Sequence, residues 1–471
     1  MAETATTTAT PEKVVFTFEE QVLSSCSLYS MALLCVVWGS IRSVKLIKTH
    51  VAKKRNIESS IGWKEATRFP LTASFVLFGL YVVFKGPYPV ADVLAQKVQP
   101  YVPEEYFVYV ESGRDYFLVK NNTDEAPVRF QFVKDYYYKI KSSDPRLEDF
   151  VNDATTYIEP YVPEVNKSKL AYWLLVLLVY EGCSALAVLF KPVVSFVLRL
   201  LPIGDRWPKK NTTYLWSIKK GKKEMEEGDI VYASHNETES LVHIEYDCHY
   251  LGTLLLTGIF VGVSHLYRRH WITNNLLGIG FSVYGIENLH LASFKAGLFL
   301  LIGLFFYDIF WVFGTDVMTT VAKSIDAPIL LQFPQDILRV GWFEASKYSM
   351  LGLGDIVVPG IFVALLYRFD HYVGSKKTEK SKNRYYFAAV IVGYMVGLLV
   401  TMGVMHHFKA AQPALLYLVP SCIIIPLILA VIRGEFSELW NYTEEHIVNP
   451  EEAKEKEAAK KSQKKKDKKS E

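Results

Sequence analysis

Nine apolar stretches of about 20 residues recur along this 471-residue chain. A bilayer core of about 30 Å is crossed by roughly 20 helical residues, so each stretch predicts a membrane-spanning helix. A helix satisfies its own backbone hydrogen bonds in lipid, and the alternating pattern of barrel strands is absent from the sequence. We therefore predict an all-α polytopic membrane protein with helices over residues 27–47, 69–85, 169–190, 248–267, 272–290, 293–313, 345–366, 385–406 and 412–432.

Basic residues are concentrated in the connections after the first, third and seventh stretches. With nine spans, these connections lie on one side of the membrane, which the positive-inside rule makes the cytosolic side. The N-terminus is then predicted to be lumenal and the C-terminal tail cytosolic. The short segment Arg268-Arg269-His270 falls on the lumenal side and is an exception. Because the net charge is only +3, the basic clusters indicate topology rather than nucleic-acid binding.

Two acidic residues interrupt the apolar stretches: Asp308 in the sixth and Asp355 in the seventh. A charged side chain at the centre of a membrane helix costs about 2.5 to 3.5 kcal/mol on insertion scales, so an acid kept there indicates a functional site. With the predicted helix ends, both carboxyls lie on the order of 10 Å below the lumenal surface, at 1.5 Å per residue. Neighbouring antiparallel helices would then present the two carboxyls to each other.

Such a pair predicts peptide hydrolysis. Two carboxyls a few ångströms apart cannot both ionise readily, so they share one proton. The carboxylate can then draw a proton from water while its protonated partner hydrogen-bonds the scissile carbonyl. Gly352 and Gly354 leave no side-chain bulk beside Asp355. Tyr307 is a candidate hydrogen-bond donor next to Asp308.

The five cysteines lie in or beside apolar stretches, without CxxC or Cys/His spacing. They indicate core packing rather than a disulfide framework or a metal site. We expect the chemistry of the two acids to need neither a metal nor a cofactor.

Three motifs resemble those of a known family. Tyr307-Asp308, Gly352-Leu353-Gly354-Asp355 and Gln412-Pro413-Ala414-Leu415 look like the YD, GxGD and PAL signatures of the intramembrane aspartyl proteases, in order and in span position. The segments around them resemble signal peptide peptidase in particular, strongly from about residue 270 to 434.

The resemblance implies a presenilin-like fold and an aspartic endopeptidase of the endoplasmic reticulum membrane. Its substrates would be transmembrane signal peptides and type II membrane segments, and Asp308 and Asp355 would be the catalytic pair. The other residues of the three motifs would bind substrate or shape the site. Pro413 lacks an N–H group, so the helix start there is expected to leave carbonyl groups and space near the carboxyls.

These predictions divide the chain into six parts. They are a lumenal segment (1–26), two helices (27–85), a lumenal insertion (86–168), two helices with a basic cytosolic loop (169–267), a catalytic membrane region (268–434) and a cytosolic Lys-rich tail (435–471).

Two features of the predicted topology concern processing and location. Among the glycosylation sequons, only Asn121 and Asn166 fall on the lumenal side, so these two are predicted to be used. Lys469 and Lys468 stand third and fourth from the end in the tail's final Lys-Lys-Ser-Glu, and this dilysine resembles a signal for retrieval to the endoplasmic reticulum.

Other functions remain open at this point. A secondary transporter would use the acids as a proton relay, although we find no internal repeat of span pattern. A membrane chaperone would bind signal peptides without cutting them. A presenilin-like catalytic subunit is disfavoured by the short connection between the sixth and seventh spans. The sequence also leaves open whether the chain forms a homo-oligomer or joins a degradation complex of the endoplasmic reticulum.

Overall fold

The computed structural model describes residues 16–52, 60–85, 167–200, 211–220, 223–226, 229–232, 239–313, 317, 328–345, 347–376, 384–408 and 412–444. The predicted glycosylation sites Asn121 and Asn166 and the dilysine Lys468-Lys469 lie outside these residues. So do all but the last two residues of the predicted insertion.

The described chain is mostly helical. Its helices are α1 (Phe18–Ala52), α2 (Trp63–Lys85), α3 (Lys167–Leu200), α4 (Cys248–Tyr267, with a π-helical turn at Gly258–Val263), α5 (Trp271–Asn288), α6 (Phe294–Phe313), α7 (Ile337–Val340), α8 (Gly354–Lys376), α9 (Tyr385–Phe408), α10 (Leu415–Ile432) and α11 (Phe436–Trp440).

Seven of the described helices are long and apolar enough to cross a membrane, namely α1, α3, α4, α6, α8, α9 and α10. The chain is therefore a multi-pass membrane protein. Helices α2 and α5 coincide with the second and fifth predicted spans but are more polar. Charged residues open α2, and α5 carries the adjacent asparagines Asn274 and Asn275. The count of nine spans and their orientation stay predictions.

The prediction of an all-α protein is wrong for several connections, which form short strands. The strands are β1 (Ser60–Ile61), β2 (Thr213–Lys220), β3 (Lys223–Glu226), β4 (Asp229–Tyr232), β5 (Glu239–Asp247), β6 (His290–Leu291), β7 (Leu330–Pro334) and β8 (Tyr348–Gly352). Strand β2 pairs with β5, β3 with β4, and β7 with β8, each antiparallel. A search for 20-residue apolar stretches passes over strands this short.

The predicted start of the seventh span, near residue 345, is also wrong. Residues 348–352 form β8, and the helix begins only at Gly354. Asp355 is thus the second residue of α8, not a residue two turns inside it. The estimate that placed the two carboxyls at matching depth loses its basis for Asp355, because it assumed helix from residue 345 onward.

The described chain divides into two compact units. The first unit takes in Met1–Arg55, Val179–His290 and Pro328–Phe387. In it α1, α5 and α8 pack against one another, and the β7–β8 hairpin lies against α1 and α5. Near the end of α5, Glu287 accepts a hydrogen bond of 2.6 Å from Arg42 Nε of α1, so this acid is held in an ion pair.

The second unit takes in Asn56–Leu178, Leu291–Ala327 and Ala388–Glu471. Helix α6 packs against α2 and α10. Where α2 and α6 meet, a Cβ atom built at Gly303 would lie 2.6 Å from Cγ of Pro70, so only glycine permits this approach. Two turns further along α6, Trp311 Nε1 donates to Ser74 Oγ at 3.0 Å. These contacts fix the helix that carries Asp308.

Candidate active site

Asp308 lies on α6 in the second unit and is buried, with 6% of its surface exposed. Its Oδ2 atom accepts a hydrogen bond of 3.2 Å from the backbone N–H of Leu415. Leu415 is the first residue of α10, and N–H groups in the first turn of a helix have no carbonyl partner within the helix. The start of α10 therefore supplies a directed donor to a buried carboxyl group.

The segment Pro413-Ala414-Leu415 contacts Asp308 through this amide, and its first two carbonyls are hydrogen-bonded to N–H groups of α10. The Pro413 carbonyl accepts from the Leu416 N–H at 3.3 Å, and the Ala414 carbonyl accepts from Tyr417 and Leu418 at 3.1 Å each. The expectation that the helix start leaves carbonyl groups for the carboxyls is therefore wrong for these two residues. Pro413 is buried, and Gln412 before it is half-buried.

Tyr307, the neighbour of Asp308, packs into an apolar cluster of the second unit. Its ring centroid lies 6.3 Å from that of Trp311. The cluster also contains Leu77, Leu80, Tyr81, Leu174, Leu178 and Val317. Within the described part of the chain the Tyr307 hydroxyl has no hydrogen-bond partner, and its role as a donor stays a prediction.

Asp355 lies in the first unit, directly after the β7–β8 hairpin. Leu353 makes the junction between strand and helix. Its N–H donates to the Ile329 carbonyl at 3.1 Å and prolongs the hairpin ladder. Its carbonyl accepts from Ile356 at 3.1 Å and from Val357 at 2.8 Å, which opens α8. The hairpin therefore determines where α8 begins and where Asp355 lies.

The two glycines beside Asp355 differ in their surroundings. A Cβ atom built at Gly352 would lie 3.2 Å from Oδ2 of Asp355, closer than most real Cβ contacts. A Cβ atom built at Gly354 would meet no described atom within 4 Å, apart from its own neighbours. The absence of a side chain at Gly352 therefore leaves space beside the Asp355 carboxyl.

Helix α5 holds the hairpin through two side chains that the sequence analysis missed. Asn275 donates to the Gln332 carbonyl at 2.6 Å and accepts from the Gln332 N–H at 2.8 Å. Asn274 donates to the Leu330 carbonyl at 2.7 Å. The signal available in the sequence was the pair of adjacent asparagines within helix α5, because a buried amide needs hydrogen-bond partners.

Helix α1 holds the hairpin from a second direction. Thr17 and Glu20 form a capping box: the Thr17 N–H donates to Glu20 Oε2 at 2.9 Å, and the Glu20 N–H donates to Thr17 Oγ1 at 3.4 Å. Glu20 also accepts two hydrogen bonds from Arg339, at 2.6 and 2.7 Å. Ser24 Oγ lies 3.0 Å from Ser349 Oγ on β8. The Thr-x-x-Glu pattern could have marked this helix start from sequence.

No group of three or more His, Cys, Asp or Glu side chains that could hold a metal ion occurs within the described residues.

The class of the protein follows from comparison with known proteins: it is an intramembrane-cleaving protease of the aspartic type. A family model described as signal peptide peptidase matches residues 53–446. The chain belongs to the signal peptide peptidase family.

Two relatives illustrate the similarity. The chain is 51% identical over 461 residues to intramembrane protease 2 of Caenorhabditis elegans, across 95% of this chain and 96% of that protein. It is 50% identical over 217 residues to the signal peptide peptidase of Homo sapiens, across 46% of this chain and 55% of the human protein. No solved structure matches the chain. Because the chain belongs to a family of intramembrane proteases, we conclude that it cleaves peptide bonds within the membrane.

Proposed function

We propose that Asp308 and Asp355 form the catalytic pair, and that the enzyme hydrolyses signal peptides and type II membrane segments in the endoplasmic reticulum membrane. The observation that carries this proposal is the state of Asp308. A carboxyl with 6% exposure, inside an apolar helix and hydrogen-bonded by a helix-start amide, is costly for stability alone. Catalysis is the reason we assign for keeping it.

The pair would act by general acid and base catalysis. One carboxylate removes a proton from water as the water oxygen attacks the scissile carbonyl carbon. The protonated partner donates a hydrogen bond to the carbonyl oxygen, where negative charge develops. The carboxyl that took the proton from water then passes it to the nitrogen as the C–N bond breaks and the tetrahedral oxyanion collapses to the new carboxyl group, which leaves one proton shared by the pair. In this scheme the Leu415 N–H holds Oδ2 of Asp308 and leaves Oδ1 for the reaction.

The β7–β8 hairpin supports this function because a substrate must be unwound before it can be cut. A peptide in an intact helix has its carbonyl groups hydrogen-bonded and shielded from attack. An extended peptide can instead be held as an added strand at an exposed sheet edge. In β8 the backbone groups of Tyr348, Met350 and Gly352 point away from β7. We propose that this edge holds the extended substrate next to Asp355.

The cellular setting is proposed from sequence and from relatives. The matched human and mouse proteins carry the name signal peptide peptidase, which supports signal peptides as substrates here. The basic connections support a lumenal N-terminus and a cytosolic tail. Retrieval through Lys468 and Lys469 would keep the enzyme in the endoplasmic reticulum. Asn121 and Asn166 would carry glycans, and catalysis would reside in residues 268–434 of a nine-span, presenilin-like fold.

The test uses the purified full chain in lipid nanodiscs with a labelled signal peptide, and mass spectrometry of the products. We expect cuts inside the apolar segment of the peptide, blocked by a transition-state analogue of aspartic proteases. Binding without cleavage would support the chaperone alternative. Gradient-driven uptake without cleavage, measured with the same protein in sealed proteoliposomes, would support the transporter. Either result would overturn the proposal.

A further inference from the structure

The outer edge of β7 is closed by α5. In the observed register, the backbone groups of Leu330, Gln332 and Pro334 point away from β8. Asn274 bonds the Leu330 carbonyl, and Asn275 bonds both the N–H and the carbonyl of Gln332. Pro334 has no N–H to offer. Every outward group from the Leu330 carbonyl to the Pro334 nitrogen is thus either bonded or absent.

The outer edge of β8 is different. Met350, at the centre of this edge, is 55% exposed. Its N–H and carbonyl have no hydrogen-bond partner among the described residues, and the same holds for the backbone groups of Gly352 that face outward. A two-stranded hairpin normally offers two edges to an added strand. Here the described residues close one edge with side-chain amides and leave the other open.

The same face of α5 also holds the segment that leads to Asp355. One turn after the two asparagines, a Cβ atom built at Gly278 would lie 2.8 Å from Cδ2 of Leu331 and 3.4 Å from Cδ2 of Leu353. Helix α5 therefore contacts β7 through its amides and, where it has no side chain, receives Leu353, two residues before Asp355. A shift of β7 along α5 would move the start of α8 with it.

We propose that Asn274 and Asn275 are positioning residues of the protease. They close the outer edge of β7, so that a substrate strand can add only to β8. They also fix the position of the substrate strand relative to Asp355. The inference rests on the proposed function, because it takes Asp355 as catalytic and β8 as the substrate edge. According to this proposal, the contacts that α5 makes with β7 determine which peptide bond of the substrate is cut.

The first measurement is the cleavage-site pattern. Asn275→Leu is close in size and removes both hydrogen bonds, while Asn275→Asp keeps the acceptor and loses the donor. With a labelled signal peptide, we expect additional or shifted cut sites for both variants and a fall in kcat of roughly 10-fold or more for Asn275→Leu. A variant that merely folds less well gives less product at unchanged sites. Asn275→Gln, which keeps both groups on a longer arm, should restore part of the native pattern.

Asn288→Leu is the matched control, because Asn288 lies at the far end of α5 and donates to the Tyr284 carbonyl of its own helix at 2.9 Å. It should leave the cut sites unchanged. Native cut sites and native kcat in Asn275→Leu would overturn the inference. If the wild-type chain does not cleave the peptide at all, or if Asp355→Asn keeps full activity, the proposed function is contradicted instead.

A second measurement does not depend on activity. Amide hydrogen exchange of the peptide covering residues 328–334 should become faster in Asn275→Leu, because the Gln332 N–H loses its acceptor. Exchange in the Asn288→Leu control should match that of the wild type. Unchanged exchange in Asn275→Leu would overturn the claim that α5 closes the edge of β7.

Discussion

The backbone N–H of Leu415 donates a hydrogen bond of 3.2 Å to Oδ2 of the buried Asp308. We propose that this contact is the chemical role of the Pro-Ala-Leu segment, since a helix start offers N–H groups that its own helix cannot use. It also predicts that the Leu415 amide, rather than its side chain, matters for catalysis.

Replacing Leu415 by its α-hydroxy acid analogue tests this role, because the change turns the N–H into an ester oxygen and keeps the side chain. A hydrogen bond to a charged group is worth about 1.5 to 3 kcal/mol, so we expect kcat to fall roughly 10- to 100-fold. The matched control is the same change at Leu416, whose N–H bonds the Pro413 carbonyl instead. An equal effect at both positions would contradict the role assigned to Leu415.

The glycines before Asp355 predict an order of effects. In Gly352→Ala, the new methyl group would lie 3.2 Å from Asp355 Oδ2, so the carboxyl must rotate and cleavage should slow. Gly354→Ala adds a methyl group that meets no described atom within 4 Å beyond its chain neighbours and the backbone of its own helix, so its effect should be smaller. Cleavage rates per folded enzyme, counted by titration with a tight-binding inhibitor, give the comparison. A larger loss in Gly354→Ala would contradict the geometry at Gly352.

The Glu20–Arg339 ion pair predicts a modest coupling between α1 and the hairpin loop. The Arg339 side chain is 42% exposed, so water screens the pair, and we expect only a small coupling free energy between the two side chains. A double-mutant cycle with Glu20→Gln and Arg339→Gln, read by denaturant unfolding, measures it. Strictly additive effects would show that the contact contributes nothing to stability.

Asp247 predicts a pH dependence at the start of α4. Burial raises the pKa of its carboxyl, but hydrogen bonds from Lys191 and the Tyr250 N–H outweigh burial and hold the pKa below the ordinary 3.8. A lowered pKa stabilises the folded state above pH 3.8, and this stabilisation is lost as the pH falls through the folded-state pKa.

Asp247→Asn should therefore lower the thermal midpoint at neutral pH, and the gap to the wild type should narrow as the pH falls below about 4. Melting curves of both proteins between neutral and acidic pH provide the check. A gap that stays constant with pH would show that the charge of Asp247 is not what stabilises the helix start.

The sequence located the helices better than the connections between them. Long apolar stretches predicted α3, α4, α6, α9 and α10. Most of the predicted ends lie within a few residues of the observed ones, because burial in lipid imposes one length and one composition. The exception was the far end of α3, which continues to Leu200. Strand β8 was missed, since Met350-Leu351-Gly352 is as apolar as the helix that follows it. Its strand conformation depends on pairing with β7, a partner almost 20 residues away.

Site residues divide in the same way. The sequence motifs predict Asp308 and Asp355 as the pair, because an acid in an apolar segment stands out locally; that assignment stays a proposal. The partners of the Leu415 N–H and of the Asn275 side chain could not be predicted, since each depends on a contact between segments distant in sequence. Even for Pro413, sequence chemistry predicted free carbonyls where the fold uses an amide.

The most direct test of the central claim compares kcat of the wild type with that of Asp308→Asn and Asp355→Asn, on one signal peptide in nanodiscs. Asp229→Asn, an acid on β4, serves as the matched control. General acid and base catalysis contributes about 10²- to 10⁴-fold, so each active-site variant should lose at least that much while keeping its melting temperature near or above the native value. Native kcat in either folded variant would contradict the account.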